Sequence, residues 1–144
     1  MGTKSPSCRP SAAAEDVRIT DGPLDLAAAV ARAADTRTGG VVTFSGNVRD
    51  SEGGEPIRAI RYEVYESMAR KEIAKLLVEA HRRWGVRAVV EHRVGEVPAG
   101  ESSIIIVCAG EHREEAFAAC RWMLEEIKAH APIWKVKFEQ GGAA

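Results

Sequence analysis

The order of two hydrophobic patterns constrains this fold more than any other feature of the sequence. Three segments repeat apolar residues at helical spacing, and segments with the two-residue period of strands lie before, between and after them. The resulting order is β-α-β-β-α-β-β-α-β. Strand pairs between helices are typical of α+β proteins. We therefore predict a mostly antiparallel sheet with the helices on one face.

Local signals set the expected boundaries of these segments. The continuous apolar run at residues 103–109 predicts a buried strand. Residues 41–50 alternate as a strand, and a Gly-rich loop at residues 51–56 leads into the next one, so these two strands are predicted to form a hairpin. Pro23 is expected in the first turn of the first helix, and Ser67 is expected to cap the second.

Length and composition bound the class of protein. A chain of 144 residues suits one domain, which we place at residues 15–138, with flexible ends at residues 1–14 and 139–144. A net charge of −1 argues against a globally basic nucleic-acid binder, and the longest apolar run is too short to span a membrane. Three cysteines without a secretory signal predict a cytoplasmic location.

The start of the third helix is the first candidate site. His112 and Arg113 follow the buried strand directly, and a helix N-terminus attracts anions through its unpaired N–H groups and its dipole. The spacing alone favours a second interpretation, because charged helix starts are common. Glu114 and Glu115 can balance the dipole in an ordinary solvated first turn.

Two lysines near the end of the chain form the second candidate site. Lys128 lies at the edge of the apolar stripe of the third helix, and Pro132 forces a turn that can return Lys135 to its neighbourhood. Two converging amines suit an anionic ligand, and a partly desolvated lysine can act in catalysis. The alternative is a lysine that only balances the C-terminal end of the helix dipole.

The remaining candidates are single residues. Arg49 ends a strand beside the Gly-rich loop, where a guanidinium can grip phosphate, although such an arginine is often only a surface charge. His81 and His92 have no second ligand at metal spacing, so no metal site is expected. Cys108 and Cys120 lie on apolar faces, which predicts buried side chains and no nucleophilic role.

In their order, these segments resemble the large, catalytic subunit of molybdopterin synthase. The similarity runs from about residue 15 to residue 138. It is carried by residues 40–49, residues 92–101, His112-Arg113 with Ala116-Phe117, and Lys128 with residues 131–135. The resemblance implies an α/β hammerhead-like fold with an added antiparallel subdomain.

The resemblance also implies a sulfurtransferase of molybdenum cofactor biosynthesis. Members of this family move two sulfurs from a thiocarboxylate on the C-terminal Gly-Gly of a small ubiquitin-like subunit. The acceptor is cyclic pyranopterin monophosphate, which becomes the dithiolene of molybdopterin. Two large subunits form the homodimer core of a heterotetramer, and no cofactor or metal takes part.

The family's functional positions imply roles for seven residues. Lys128 corresponds to the central catalytic lysine and Lys135 to the second lysine. The implied substrate-binding residues are Arg49, Phe44, Met123 and, across the dimer interface, His112 and Arg113. Another class of function stays open, namely a non-catalytic α+β module that binds a phosphorylated metabolite through the same cations. An RNA-binding sheet is disfavoured, because aromatic and basic residues do not interleave on one strand face.

Overall fold

The computed structural model describes residues 13–140. The predicted flexible ends lie mostly outside this range, but regular structure begins with a 3₁₀ turn at Ala13–Asp16 and the last strand reaches Gln140. The elements in chain order are β1 Val17–Thr20, α1 Leu26–Ala33, β2 Gly40–Asn47, β3 Ser51–Glu52, β4 Glu55–Val64, α2 Glu66–Trp84, β5 Arg87–Arg93, β6 Gly95–Pro98, β7 Ser102–Gly110, α3 Arg113–His130 and β8 Ile133–Gln140.

The first of two sheets holds the core of the molecule. Its strand order is β1-β5-β7-β2, with β1 parallel to β5 and the other neighbours antiparallel. Strands β5 and β7 are central and buried along almost their whole length. This confirms the buried strand predicted from residues 103–109. It also confirms the α+β class with predominantly antiparallel pairing.

The second sheet is built on β4, which pairs antiparallel with β3, β6 and β8. The predicted hairpin between β2 and β4 is therefore wrong, because β2 pairs with β7 instead. The Gly-rich loop explains the difference. Gly53 and Gly54 have positive φ angles of 57° and 85°, and they close a small hairpin between β3 and the start of β4. This hairpin directs β4 into the second sheet.

The helices cover both faces of the first sheet, whereas the sequence predicted helices on one face. Helices α2 and α3 pack on the face that carries Val90 and Ile106. Helix α1 packs Ala29 and Ala33 on the opposite face, against Val89 and its neighbours on β7. The cause is that β5 and β7 are apolar on both faces, and such strands need cover on each side. None of the described helices is long and apolar enough to cross a membrane.

Two helix starts differ from the predicted ones. Asp25 caps α1, with its carboxylate accepting a hydrogen bond of 3.0 Å from the backbone N–H of Ala28, so Pro23 precedes the helix. Ser67 lies inside α2 instead of capping it, because the helix begins at Glu66.

Near the other end of the chain, α3 ends at His130 and β8 begins three residues later. This short turn positions the candidate site.

Candidate active site

A cavity of about 420 Å³ lies where the two sheets meet beside the last turn of α3. Strands β2, β4, β5, β7 and β8 and helix α3 all contribute to its wall. The lining residues with chemical interest are Phe44, Asn47, His92, Lys128, Trp134 and Lys135. Residues far apart in sequence therefore meet at one concave site, as binding cavities usually require.

The floor of the cavity is a row of residues across three strands. Ile104 on β7 pairs with His92 on one side and with Gly46 on the other. A Cβ atom on Gly46 would lie 2.8 Å from Cγ2 of Ile104 and 3.2 Å from the Phe44 ring. Both distances are too short for van der Waals contact. Only glycine therefore fits this position without moving the floor.

The two lysines line the same cavity, which we call the lysine cavity, from different elements. Lys128 comes from the last turns of α3 and Lys135 from β8, and both are exposed. The turn predicted at Pro132 thus brings them to one site. Tyr62 is the β4 residue paired with Lys135. Its ring meets the His92 ring edge-on, with centroids 5.5 Å apart, so β4, the strand that pairs with β8, contacts β5 at the cavity.

Asn47 offers hydrogen-bond donors at the rim of the cavity. Its Oδ1 accepts hydrogen bonds of 2.9 Å from the hydroxyls of Ser45 and Ser102, and those two hydroxyls are themselves 2.6 Å apart. Because this network occupies the side-chain oxygen, the Nδ2 protons are left available for a ligand. Such donors suit an anion or a carbonyl group.

His92 is a cavity residue that the sequence analysis considered only as a metal ligand. It is 7% exposed, and its Nδ1 lies 2.8 Å from the backbone oxygen of Arg93. Burial lowers the pKa of His92 from its ordinary value, and the smaller opposing effect is the hydrogen bond to Arg93. The alternation of Ala88, Val90 and His92 on one strand face was the signal that this histidine points inward.

A second cavity, of about 490 Å³, surrounds the N-terminus of α3 and contains His112 and Arg113. No side chain caps this helix within the described residues, so its first N–H groups are available as the sequence predicted. His112 Nε2 lies 3.1 Å from Glu111 Oε1. Three glutamates also line this cavity and offset its positive charge.

These two cavities are far apart in one chain. Arg113 and Lys128 lie near opposite ends of α3, separated by 15 residues (128 − 113), which is about 22 Å at the rise of an α-helix. An open groove of about 480 Å³ runs between them along α3 and β2, and Phe44 lines both this groove and the lysine cavity. The Arg113 and Lys128 side chains of one chain cannot reach each other across this distance.

Besides His112 and Arg113, two further residues implied by the resemblance do not line the lysine cavity. The Arg49 side chain is 79% exposed and pairs with Glu52 at 3.2 Å, two residues beyond Asn47. Met123 is completely buried in the core. Its role in the wall of the substrate pocket stays a prediction. The α3 face toward the groove carries Leu124, one position further along, and the angular step of the helix turns Met123 inward.

The cysteines have no catalytic setting. Cys108 and Cys120 are free and buried, and their thiols hydrogen-bond to each other. This hydrogen bond, together with burial, raises the pKa of Cys108 well above its usual value, which disfavours its thiolate, whereas the same hydrogen bond lowers the pKa of Cys120. Within the described residues, no group of three or more His, Cys, Asp or Glu side chains is arranged to hold a metal ion.

Fold and site define a small α+β protein with an amine-bearing cavity between two sheets. Residues 19–130 match the family model described as MoaE protein, and the chain belongs to this family. A relative from Oryza sativa subsp. indica, called molybdopterin synthase catalytic subunit, is 41% identical over 122 residues. The alignment covers 84% of this chain and 63% of the rice protein, so the chain spans less than two thirds of that relative's length.

Solved structures agree with this assignment. Molybdopterin synthase from Staphylococcus aureus superposes with a TM-score of 0.81 at 26% identity, over 88% of this chain and 97% of that one. A protein–protein complex of subunits 1 and 2 of molybdopterin-converting factor from Helicobacter pylori 26695 gives a TM-score of 0.70 at 26% identity, over 89% and 91% of the two chains. The observed fold is therefore that of the MoaE family.

Proposed function

We propose that this chain is the catalytic subunit of a molybdopterin synthase. It transfers two sulfurs from the thiocarboxylated C-terminus of a small partner protein to cyclic pyranopterin monophosphate, and it acts in the cytoplasm. The observation that carries the proposal is the cavity at which Phe44, Lys128 and Lys135 meet. Membership of the MoaE family and the name of the rice relative support the same reaction.

The charges of the cavity fit a phosphorylated substrate. Among the described residues that line it are two amines and no carboxylate, so its field attracts anions. Lys128 is proposed to stabilise the negative charge that develops as sulfur attacks the pterin. Lys135 is proposed mainly to hold the substrate's own negative charge. Phe44 supplies an apolar surface for the pterin ring.

We propose that His112 and Arg113 bind the substrate phosphate in the cavity of a second copy of the chain. The separation of about 22 Å along α3 supports this arrangement, because neither residue reaches Lys128 of its own chain. Arg49 is proposed to join the site from the rim. Its exposed ion pair with Glu52 is worth less than about 1 kcal/mol, so a bound phosphate can displace the glutamate.

The proposed partner is a small ubiquitin-like protein whose C-terminal Gly-Gly enters the cavity. Glycines suit a narrow entry, because they have no side chain and allow close approach of the backbone. The Helicobacter pylori relative has been solved as a complex of two subunits, which supports a protein partner of this kind. The resulting assembly is a homodimer with one small subunit at each end.

An assay of product formation tests this function. The purified chain is mixed with cyclic pyranopterin monophosphate and with the thiocarboxylated partner, and the dithiolene product is measured. The control reactions contain the partner with an ordinary carboxylate or without its last two glycines, and both should form no product. Binding of the pterin without any product would favour the non-catalytic module instead.

Mixed dimers test whether two copies share a site. Lys128→Ala and Arg113→Ala each damage both sites of a homodimer, but a mixed dimer regains one intact site. With random exchange of subunits, half of the dimers are mixed, so activity should recover to about a quarter of the wild-type value. No recovery after subunit exchange would show that His112 and Arg113 do not act in the site of a second copy.

A further inference from the structure

The lysine cavity also holds a buried imidazole, that of His92. His92 stands at the end of β5, on the floor of the cavity, where two lysines, Asn47 and Tyr62 also point. We propose that His92 is a further catalytic residue, the general base that activates water to release the sulfurated pterin from the partner. This proposal rests on the proposed sulfur transfer and names the proton acceptor of one of its steps.

Hydrogen bonding fixes the tautomer of the His92 ring. A backbone carbonyl can only accept, so the contact of 2.8 Å with the Arg93 oxygen requires that Nδ1 carries a proton. In the neutral ring, Nε2 then has a free lone pair. Within the described residues Nε2 has no hydrogen-bond partner, so it is available to a water molecule in the cavity.

The surroundings keep this ring neutral and orient it. Burial lowers the pKa of His92, and the smaller opposing effect is its hydrogen bond to the Arg93 backbone. The titratable neighbours facing it are Lys128 from α3, Lys135 from β8 and Tyr62 from β4. On the β1 side, Arg70 donates to the carbonyl oxygen of Ile19, the residue paired with His92. None of these groups is an anion that would favour the imidazolium.

Sulfur transfer from a thiocarboxylate creates the step that needs a base. Attack of the thiocarboxylate sulfur on a pterin carbon forms a C–S bond, and a C–O bond of that carbon breaks with its electron pair leaving on the oxygen, so the partner is joined to the substrate as a thioester. In the next step, the water oxygen bonds to the thioester carbonyl carbon and a water proton passes to Nε2 of His92. The C–S bond breaks, the partner leaves as a carboxylic acid that ionises, and sulfur stays on the pterin as a thiolate. No oxidant or reductant is needed.

The test substitutes the base while preserving its hydrogen bond. In His92→Asn, the side-chain amide can still donate to the Arg93 oxygen, but no basic nitrogen faces the cavity. We expect turnover to fall about a hundredfold, which is typical for loss of a general base. Mass spectrometry should then detect the partner–pterin thioester accumulating during a single turnover. Imidazole added to the solution should restore part of the rate.

His81→Asn is the matched control. His81 lies on α2, outside the residues that line the cavity, and its Nδ1 also contacts a backbone oxygen, that of Val86 at 3.2 Å. This variant should keep the wild-type rate and form no adduct. Normal turnover of His92→Asn without adduct would overturn the role of His92. Absence of product from the wild-type protein would instead refute the proposed function itself.

A measurement on the wild-type protein keeps the proposal testable if His92→Asn does not fold. The turnover rate should fall as the pH drops through the pKa of His92, because the protonated ring cannot accept a proton. NMR of the imidazole gives that pKa directly. Coincidence of the two titrations supports the role of His92, and a rate that stays constant while the His92 signal titrates excludes it.

Discussion

Gly46→Ala is expected to disturb the cavity floor at a single atom. The added Cβ would lie 2.8 Å from Cγ2 of Ile104 and 3.2 Å from the Phe44 ring. Contact between carbon atoms is comfortable at about 3.5–4.0 Å. The Ile104 side chain has little freedom to retreat, because it is 7% exposed, β-branched and part of the main core cluster.

Overpacking of this kind costs about 1–3 kcal/mol, so the variant should unfold at a lower urea concentration with an unchanged m-value. The catalytic consequence is separate. Displacement of Phe44 and Ile104 changes two walls of the cavity, so we expect KM for the pterin to rise more than kcat falls. Equilibrium urea unfolding and steady-state kinetics measure the two effects.

Gly22→Ala is the control for the loss of a glycine as such. Its Cβ would meet only the Thr20 hydroxyl oxygen at 3.8 Å, an ordinary contact. Its backbone is not among those with positive φ, so stability should stay unchanged or rise by up to about 1 kcal/mol. If Gly46→Ala matched Gly22→Ala in both stability and KM, the floor would be more deformable than the contacts imply and the reasoning would be refuted.

Two further predictions concern other buried groups. Replacement of both Cys108 and Cys120 by Ala should leave turnover within about twofold of the wild type, because the partner carries the sulfur. The lost packing should cost some stability. Complete loss of sulfur transfer in a folded variant would contradict the proposed sulfur route. The pKa of His92 is lowered on folding, so below the unfolded pKa of about 6.5 the unfolded chain binds more protons than the folded one. The contribution of His92 to the free energy of unfolding is therefore fully present above that pH, and it is lost as the pH falls toward the folded pKa. Urea unfolding at about pH 7.5 and about pH 5.5 should therefore show a larger decline for the wild type than for His92→Asn, and equal declines would refute the assignment.

Local patterns predicted the parts of the fold that depend on nearby residues. The apolar run of β7 marked a central strand, and the proline after α3 marked the turn that brings Lys135 beside Lys128. Strand partners were not predictable in the same way. The pairing of β2 with β7 depends on the floor contacts between Gly46 and Ile104, which are distant in the sequence.

The same limit applies to the candidate site. Charged residues at helix ends were visible as candidates, and the two lysines do line one cavity. Met123 is buried in the core while its neighbour Leu124 lines the groove, because a shift of one residue turns a side chain by about 100°. His92 was considered only as a possible metal ligand. Its neighbours in the cavity come from other elements, and no local sequence pattern predicts that these residues meet.

The rate of product formation by Lys128→Ala tests the central proposal most directly. Lys75→Ala is the matched control, since Lys75 is an exposed lysine on α2 that pairs with Glu72 and lies outside the residues lining the cavity. We predict that Lys128→Ala lowers kcat about a hundredfold or more without a change in melting temperature, and that Lys75→Ala keeps the wild-type rate. Lys135→Ala should mainly raise KM. Near-normal turnover in a well-folded Lys128→Ala protein would contradict the assignment of this cavity as the catalytic site.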